Sequence, residues 1–384
     1  MYQEKVVTLQ CKSDFLCRKL LYTASRWAKT CSRRSSQLKL SPKWAIPLRN
    51  SHRWSTLRCS VLHLKMFWSR RTARLQQAVR RLTLSLCSRS YSSSVTMGWG
   101  DHQIQYQITD RTSFRQFLGI HTVDEVPDEK TVWACKNKLA EDGTFDRLFD
   151  EFRTFLDNKG LSFNEGKIID ATFVEAPKQR NTKEENKQIK SGDGKDLWNP
   201  EEGDSEREKA RKKHKKSHKD VDARWTKKRG ENHYGYKNHV KADKKTKLIE
   251  KYHTTDASVH DSNVIEPLID EEKDKGQDLF LDAGYESKED VVKRKGMNPI
   301  ISEKGHRNNP LTDEQKKNNR VKSKDRCRIE HIFGFIEGAM NGSFVLSIGM
   351  MRAKAANALT NLVYNIFRYA QICIYHPQLI TCKG

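Results

Sequence analysis

The sequence predicts an α/β fold, and three observations support this class. Aromatic and aliphatic residues recur at spacings of three and four between positions 145 and 156. Short apolar runs follow from position 167 onward, and several of them contain an acidic residue or end in one. Helical spacing of apolar residues then returns after position 326. Strands interleaved with helices are typical of an α/β domain.

Residues 99–160 are predicted to form a helical region. Pro127-Asp128-Glu129 places a proline and two acids where the first turn of a helix favours them. The spaced apolar residues from Phe145 to Leu156 indicate one buried helical face, and Gly160 is a plausible end for that helix. These aromatic residues are expected to form core.

Residues 161–375 are predicted to form the main domain, and 376–384 a tail. The expected strands are residues 167–174, a hairpin of 234–242 with 248–255, then 278–285 and 299–302. The expected helices run from Asp261 to about Ile269, over about 287–295, from near Arg326, and over about 352–375.

A charged insertion at about 178–232 interrupts the apolar pattern. It contains the run Arg211-Lys212-Lys213-His214-Lys215-Lys216 and few apolar residues. Such a composition buries too little apolar surface to fold alone, so a solvated loop is the preferred interpretation. A loop that contacts nucleic-acid phosphates is the alternative.

The first quarter of the chain differs in composition from the rest. The formal net charge is +23; residues 1–100 hold 20 Lys or Arg and 2 Asp or Glu, which gives +18. Residues 1–98 show no clean helical or strand period. We interpret this basic, Ser/Arg/Cys-rich segment as translated out of frame or disordered, and not natively folded. An organelle transit peptide and a basic nucleic-acid-binding arm remain alternatives.

Composition also argues against several classes of protein. No stretch approaches 18 consecutive apolar residues, so no transmembrane helix and no membrane partner are expected. The nine cysteines show no paired spacing typical of zinc sites and are expected to be free thiols. The positive net charge suggests a polyanionic partner such as nucleic acid.

Three acids next to apolar residues are the candidate functional residues. Asp170 follows Ile168-Ile169, Asp282 follows Leu279-Phe280-Leu281, and Glu330 lies between isoleucines on a predicted helix. A carboxylate among apolar neighbours is costly unless it is paired or binds a metal. Two acids at strand ends and a third on a helix suit a hard cation such as Mg²⁺, which activates nucleophiles for displacement at phosphorus.

Five segments in one continuous order resemble the transposases of bacterial insertion sequences, specifically the insertion-sequence-five group. They are IDATFVEAP (169–177), YGYKNH (234–239), TDASVHD (255–261), DAGY (282–285) and RCRIEHIFG (326–334). The resemblance covers about residues 100–375. Each motif is short, but their joint order is highly specific.

This resemblance implies a ribonuclease-H-like fold, a mixed sheet flanked by helices, and an acidic Asp-Asp-Glu catalytic site. Asp170, Asp282 and Glu330 would bind two Mg²⁺ ions, with Mn²⁺ as a substitute, and Arg326 would contact DNA or orient Glu330. The family often has Lys seven positions after the catalytic Glu, where this chain has Glu337.

The implied partner is double-stranded DNA, both as element ends and as target, bound by a homodimer in the bacterial cytoplasm close to the nucleoid. Glu175 and Asp261 rank below the three predicted carboxylates. His239 and His260 are interpreted as hydrogen-bonded structural residues, with contact to the site as the alternative.

The predicted reaction is hydrolytic cleavage at element ends, followed by attack of the freed 3′-hydroxyl on target DNA. One alternative is a catalytically silent remnant that only binds DNA. The others are a nuclease on the same fold that never joins ends and a basic structural protein that binds nucleic acid.

Overall fold

The computed structural model describes residues 100–118, 122–123, 126–161, 165–228, 230–305 and 310–380. The interpretation of residues 1–98 therefore lies outside the described residues. Within the described ranges, no helix has both the length and the apolar character needed to cross a bilayer.

From residue 100 onward, the described residues form four helices before the sheet, as the sequence predicts for this region. They are α1 (Asp101–Asp110), α2 (Thr112–Leu118), α3 (Glu129–Glu141) and α4 (Thr144–Asn158). The Asp128 side chain caps α3 by accepting a bond from the Thr131 amide. Helix α4 buries most of its regularly spaced apolar residues, including Phe145 and Phe149, and leaves Phe155 half-buried. The prediction that these residues form core is therefore confirmed for all of them except Phe155.

A six-stranded mixed sheet lies at the centre of the fold. Its strands are β1 (Lys167–Glu175), β2 (Arg224–Lys228), β3 (Glu231–Asp243), β4 (Ile249–Asp256), β5 (Asp278–Leu281) and β6 (Asn298–Ile301). The order is β2-β3-β1-β5-β6, and β4 also pairs with β3. Strand β1 pairs antiparallel with β3 and parallel with β5, so it joins the antiparallel part of the sheet to the parallel part. The predicted hairpin of β3 and β4 is confirmed.

The helices that flank the sheet come later in the chain. They are α7 (Glu289–Arg294), α8 (Asp313–Arg326), α9 (Arg328–Met340) and α10 (Met350–Tyr375). The helix expected from Asp261 to about Ile269 was predicted incorrectly: two 3-10 turns, Asp261–Val264 and Glu266–Leu268, occupy this stretch. Pro267 lacks the amide hydrogen that a continuous α-helix requires there.

Helix α10 is buried over most of its length and packs against β4 and against α3 and α4. Three asparagines of α10 that lie one turn apart connect it to the sheet, and the first of them, Asn357, donates to the Thr254 hydroxyl over 3.0 Å. Asn361 and Asn238 exchange two side-chain hydrogen bonds of 2.9 and 3.2 Å. Asn365 accepts a bond from the Ile249 amide and donates one to its carbonyl, each 2.8 Å. These bonds satisfy the buried amide groups and fix the helix along the sheet.

The charged insertion is folded, and the preferred interpretation of a solvated loop is wrong. It contains α5 (Lys183–Ser191), α6 (Glu206–His218) and strand β2. Its two ends meet where the Gln179 side chain donates to the Asp220 carbonyl (2.5 Å) and accepts from the Asp220 amide (2.8 Å). The Tyr236 hydroxyl donates to the Asp220 carboxylate over 2.7 Å, which attaches this point to β3.

Candidate active site

Strands β1 and β5 bring Asp170 and Asp282 to the same level of the sheet. In the parallel pairing, Ile168 lies opposite Phe280, and each aspartate follows two residues later. Asp282 caps the 3-10 turn Ala283–Lys288 directly after β5. Each aspartate accepts a 2.8 Å hydrogen bond from the amide of the alanine that follows it. The two side chains therefore have matching local geometry on neighbouring strands.

Asp170 has the most perturbed electrostatic environment of the predicted acids. Burial raises the pKa of Asp170 to about 6, and the negative charge of Asp282 adds to this increase. The Ala171 amide and the charges of Arg326 and Lys228 act in the opposite direction. A carboxylate in this setting is stabilised by a nearby cation.

Arg326 connects two of the predicted carboxylates. Its Nη1 lies 3.5 Å from Oδ2 of Asp170, and its Nη2 lies 3.4 Å from Oε1 of Glu330. Arg326 ends α8 and Glu330 lies in the first turn of α9, so the junction between the helices sets this contact. The Arg326 Nε is buried without a hydrogen-bond partner among the described residues.

Two of the acids are less buried than the sequence suggests. Asp282 is exposed after its strand, and 61% of the Glu330 side chain is exposed. Helix α9 buries Ile329, Ile332 and Ile336 and presents Glu330 on its other side. The expectation that all three acids are embedded in apolar surroundings is therefore wrong for these two.

The donor chemistry suits a divalent cation, although the present arrangement is not a closed metal cage. Among the described residues, no three acidic, histidine or cysteine side chains are grouped closely enough to hold a metal ion. The Arg326 guanidinium instead links Asp170 to Glu330. Carboxylate oxygens are the ligands that Mg²⁺ prefers, and a cation would offset the cost of the charge on the half-buried Asp170.

The sequence analysis did not identify Tyr285, whose side chain is affected by the charges of nearby acidic residues. Its side chain is buried, and its hydroxyl has no hydrogen-bond partner among the described residues. Burial raises the pKa of Tyr285 well above its usual value, and the charges of Asp170, Asp261 and Asp282 add to the effect. The available signal was its position directly after Asp-Ala-Gly in the second motif.

Asp261 was ranked below the three predicted acids, but its charge also acts on Tyr285 together with those of Asp170 and Asp282. Lys237 Nζ forms an ion pair with Asp261 Oδ1 at 2.8 Å and donates to the Val259 carbonyl over 2.7 Å. Lys228 Nζ is 3.7 Å from the other oxygen of Asp261. Glu175 contacts His233 at 3.2 Å.

The two histidines make local hydrogen bonds of the kind expected for structural residues. The Nε2 of His239 is 2.9 Å from the Thr255 hydroxyl, and burial lowers the pKa of His239 to about 4. His239 is therefore neutral at pH 7. The Nδ1 of His260 is 2.8 Å from the Ser262 hydroxyl. Glu337, where the family often has Lys, is exposed on α9.

Comparison with known proteins identifies the family. The family model described as Transposase DDE domain matches residues 161–366, which is more than half of the chain. The chain therefore belongs to the DDE transposase domain family, whose members act on DNA and generally use divalent metal ions.

A curated relative gives the same result. The chain is 30% identical over 241 residues to the transposase for insertion sequence element IS1106 of Neisseria meningitidis serogroup B. The aligned region covers 61% of this chain and 76% of the relative. No solved structure was found to match the chain. The prediction of an insertion-sequence transposase is confirmed, whereas the insertion-sequence-five group stays a prediction.

Proposed function

We propose that this chain is a Mg²⁺-dependent transposase that cleaves the ends of an insertion sequence and joins them to target DNA. The observation that carries the proposal is the placement of Asp170 level with Asp282 on adjacent parallel strands, with Arg326 linking Asp170 to Glu330. The mixed sheet with flanking helices supports a ribonuclease-H-like fold.

Asp170, Asp282 and Glu330 are the residues that would hold two Mg²⁺ ions, and Mn²⁺ is a suitable substitute. When bound, the ions activate the attacking water or 3′-hydroxyl and stabilise the charge that develops at phosphorus. Arg326, the last residue of α8, holds Glu330 in the first turn of α9 and partly neutralises the charge of Asp170. A DNA phosphate that enters the site brings negative charge, for which the Arg326 guanidinium is a matching partner.

The partner is double-stranded DNA, as element ends and as target. Pairing two ends in one complex calls for two copies of the chain, so a homodimer is proposed for the synaptic state. The place of action is the bacterial cytoplasm, close to the nucleoid.

A catalytically silent product that only binds DNA is the second candidate. The composition break before residue 99 favours it, because residues 1–98 lack the periodicity of a folded end-recognition region. This candidate predicts DNA binding without cleavage in any divalent ion.

The test uses the full chain and a supercoiled plasmid that carries the element with its flanking DNA, together with a second plasmid as target. Wild-type protein is expected to cleave and join with Mg²⁺ or Mn²⁺ and not with EDTA. Asp170→Asn should reduce both steps by roughly a hundredfold to a thousandfold, because one ligand of the proposed ions, which stabilise the charge that develops at phosphorus, loses its own negative charge. DNA binding by this variant should persist.

Glu175→Gln is the matched control, since it also removes one carboxylate from β1. It should keep cleavage and joining within a few-fold of wild type. Normal joining by Asp170→Asn would overturn the proposal. Cleavage without any joining would indicate a nuclease, and binding without cleavage would indicate the silent product.

A further inference from the structure

The insertion between β1 and β2 is organised around one buried acid, Glu185. Although burial opposes its charge, hydrogen bonds from Lys215, the Thr182 amide and the Trp198 indole lower the pKa of Glu185 to about 2. Lys219 adds a second ion pair at 3.4 Å. Helix α6 is therefore held against the rest of the insertion in a defined rotation about its own axis.

This rotation gives the basic residues of α6 different surroundings, and two sets of them matter here. The helix carries seven Lys or Arg and only two Glu, and both Glu lie in its first turn. The inner set has partners within the insertion: Lys212 lies 2.8 Å from Asp204, and Lys215 lies 2.8 Å from Glu185. Their charge is neutralised internally, so they stabilise the fold and leave little positive charge for a ligand.

The outer set forms a stripe, defined here as Arg207, Arg211, His214 and His218. These positions are four, three and four residues apart and share one face of the helix, and all four are exposed. Among the described residues, neither Arg207 nor Arg211 forms an ion pair. The rings of His214 and His218 are stacked, with centroids 4.2 Å apart.

We propose that this outer stripe binds the DNA backbone, with Arg207 and Arg211 as its phosphate contacts. The inference rests on the proposed function, since it names how the same protein holds its DNA. The stripe carries the positive charges of two arginines and no acidic side chain, so its charge is complementary to that of the DNA phosphates. The stripe spans twelve residues, so its ends are roughly 16 Å apart along the helix axis. This is the axial length of about five phosphates of one DNA strand, which are spaced about 3.4 Å apart.

The experiment measures binding of the full chain to a fluorescein-labelled 30-base-pair duplex of arbitrary sequence across a series of KCl concentrations, without divalent ions. The double variant Arg207→Gln/Arg211→Gln is compared with Lys209→Gln/Lys212→Gln. Both remove two positive charges from α6, but Lys209 and Lys212 are ion-paired to Glu206 and Asp204.

The outer-stripe variant should lower the slope of log Kd against log salt by about 1.8, because each lost phosphate contact contributes about 0.9. The control variant Lys209→Gln/Lys212→Gln, which removes two ion-paired lysines, should change the slope by less than about 0.5 on the same scale. An equal change in both variants, or no change in the outer-stripe variant, would overturn the proposal. Circular dichroism checks that α6 stays folded in each.

Plasmid cleavage, measured in parallel, separates this inference from the proposed function. If wild type cleaves and joins while the outer-stripe variant keeps its salt slope, only the stripe proposal fails. If the variants differ in slope as expected but no protein cleaves in Mg²⁺, the transposase reaction fails and the DNA-binding stripe stands.

Discussion

Asp170 combines two requirements that conflict when no cation is bound. Its position in β1 places it level with Asp282, yet burial and the neighbouring negative charge both disfavour its ionised form. The positive charge of Arg326, whose Nη1 lies 3.5 Å from Oδ2 of Asp170, partly stabilises the ionised form. In the folded chain the ionised form of Asp170 thus costs stability at neutral pH, and such a perturbed carboxyl is a candidate functional residue.

This cost predicts a pH-dependent difference between wild type and Asp170→Asn in EDTA. Because the folded pKa of about 6 lies above the usual 3.8, the contribution of Asp170 to stability is complete below pH 4 and is lost as pH rises through 6. The free energy of unfolding of wild type should therefore fall by about 2 kcal/mol relative to the variant between pH 4 and pH 7.5.

Urea unfolding at the two pH values measures this difference. Saturating Mg²⁺ should reduce it, since a bound cation favours the ionised carboxylate. A difference between the two proteins that does not change with pH would show that Asp170 is not perturbed in the folded chain.

For the individual residues of the site, the sequence predicted the strands and helix that carry the acids better than it predicted how buried each acid is. The apolar residues before Asp170 and Asp282 correctly predicted buried strands. Burial of the acids themselves depends on turns and on helix rotation: Asp282 follows its strand in a turn, and Glu330 points away from the buried face of α9. Single-sequence periodicity does not resolve such local rotation.

The pairing of β1 with β3 depends on one glycine. Gly235 lies opposite Glu175, has φ of +146°, and leaves no space for a side chain. An added Cβ would meet the Val174 carbonyl oxygen at 2.4 Å and the Ala176 nitrogen at 2.7 Å. Both are backbone atoms, one in β1 and one directly after it. A side chain at position 235 would therefore force β1, the strand that carries Asp170, to shift.

We therefore expect Gly235→Ala to lower the free energy of unfolding by about 3 kcal/mol. Gly338→Ala in α9 is the control, because no atom lies within 4 Å of its added Cβ, and alanine should be neutral or favourable there by up to about 1 kcal/mol. Urea midpoints measure both. Equal stability of the two variants would contradict this role of Gly235.

Among the elements, the sequence predicted β1, the β3–β4 hairpin and α10, because each has a clear apolar period. It missed α5 and α6, which have few apolar residues and gain stability from polar contacts. The sequence signal that indicates both helices is the capping box, in which each of two residues accepts a hydrogen bond from the backbone amide of the other through its side chain. The two pairs are Thr182 with Glu185, and Ser205 with Glu208. The contact of Arg326 with Asp170 joins distant elements, which no local pattern indicates.

In the molecule as a whole, a buried ion-pair network joins the helical region to the sheet. Glu250 of β4 lies 2.8 Å from Lys167 of β1, 3.4 Å from Arg153 of α4 and 3.7 Å from Lys241 of β3. Although burial opposes its charge, these three cations lower the pKa of Glu250. Its stabilisation is therefore present at neutral pH and is lost as pH falls through the lowered pKa.

Glu250→Gln should reduce the free energy of unfolding at pH 7 by about 3 kcal/mol, because it leaves buried cations without their shared partner. Glu165→Gln removes the carboxylate of an exposed pair with Lys245 and should cost less than about 1 kcal/mol. Chemical unfolding monitored by tryptophan fluorescence compares the two. Similar small losses in both would show that the network contributes little to joining the helical region and the sheet.

The two hydrogen bonds between Gln179 and Asp220 have a consequence for how this architecture tolerates change. The chain leaves the sheet after β1 and returns to it at β2, and these two hydrogen bonds bring the two ends of the intervening segment together. The residues in between therefore form an insertion with adjacent ends. Changes of length or sequence between these two residues are therefore expected to affect β1 and β3 little, provided that Gln179 and Asp220 stay in contact. If the outer stripe binds DNA as proposed, that binding surface can vary between related proteins while Asp170 and Asp282 keep their positions on β1 and after β5.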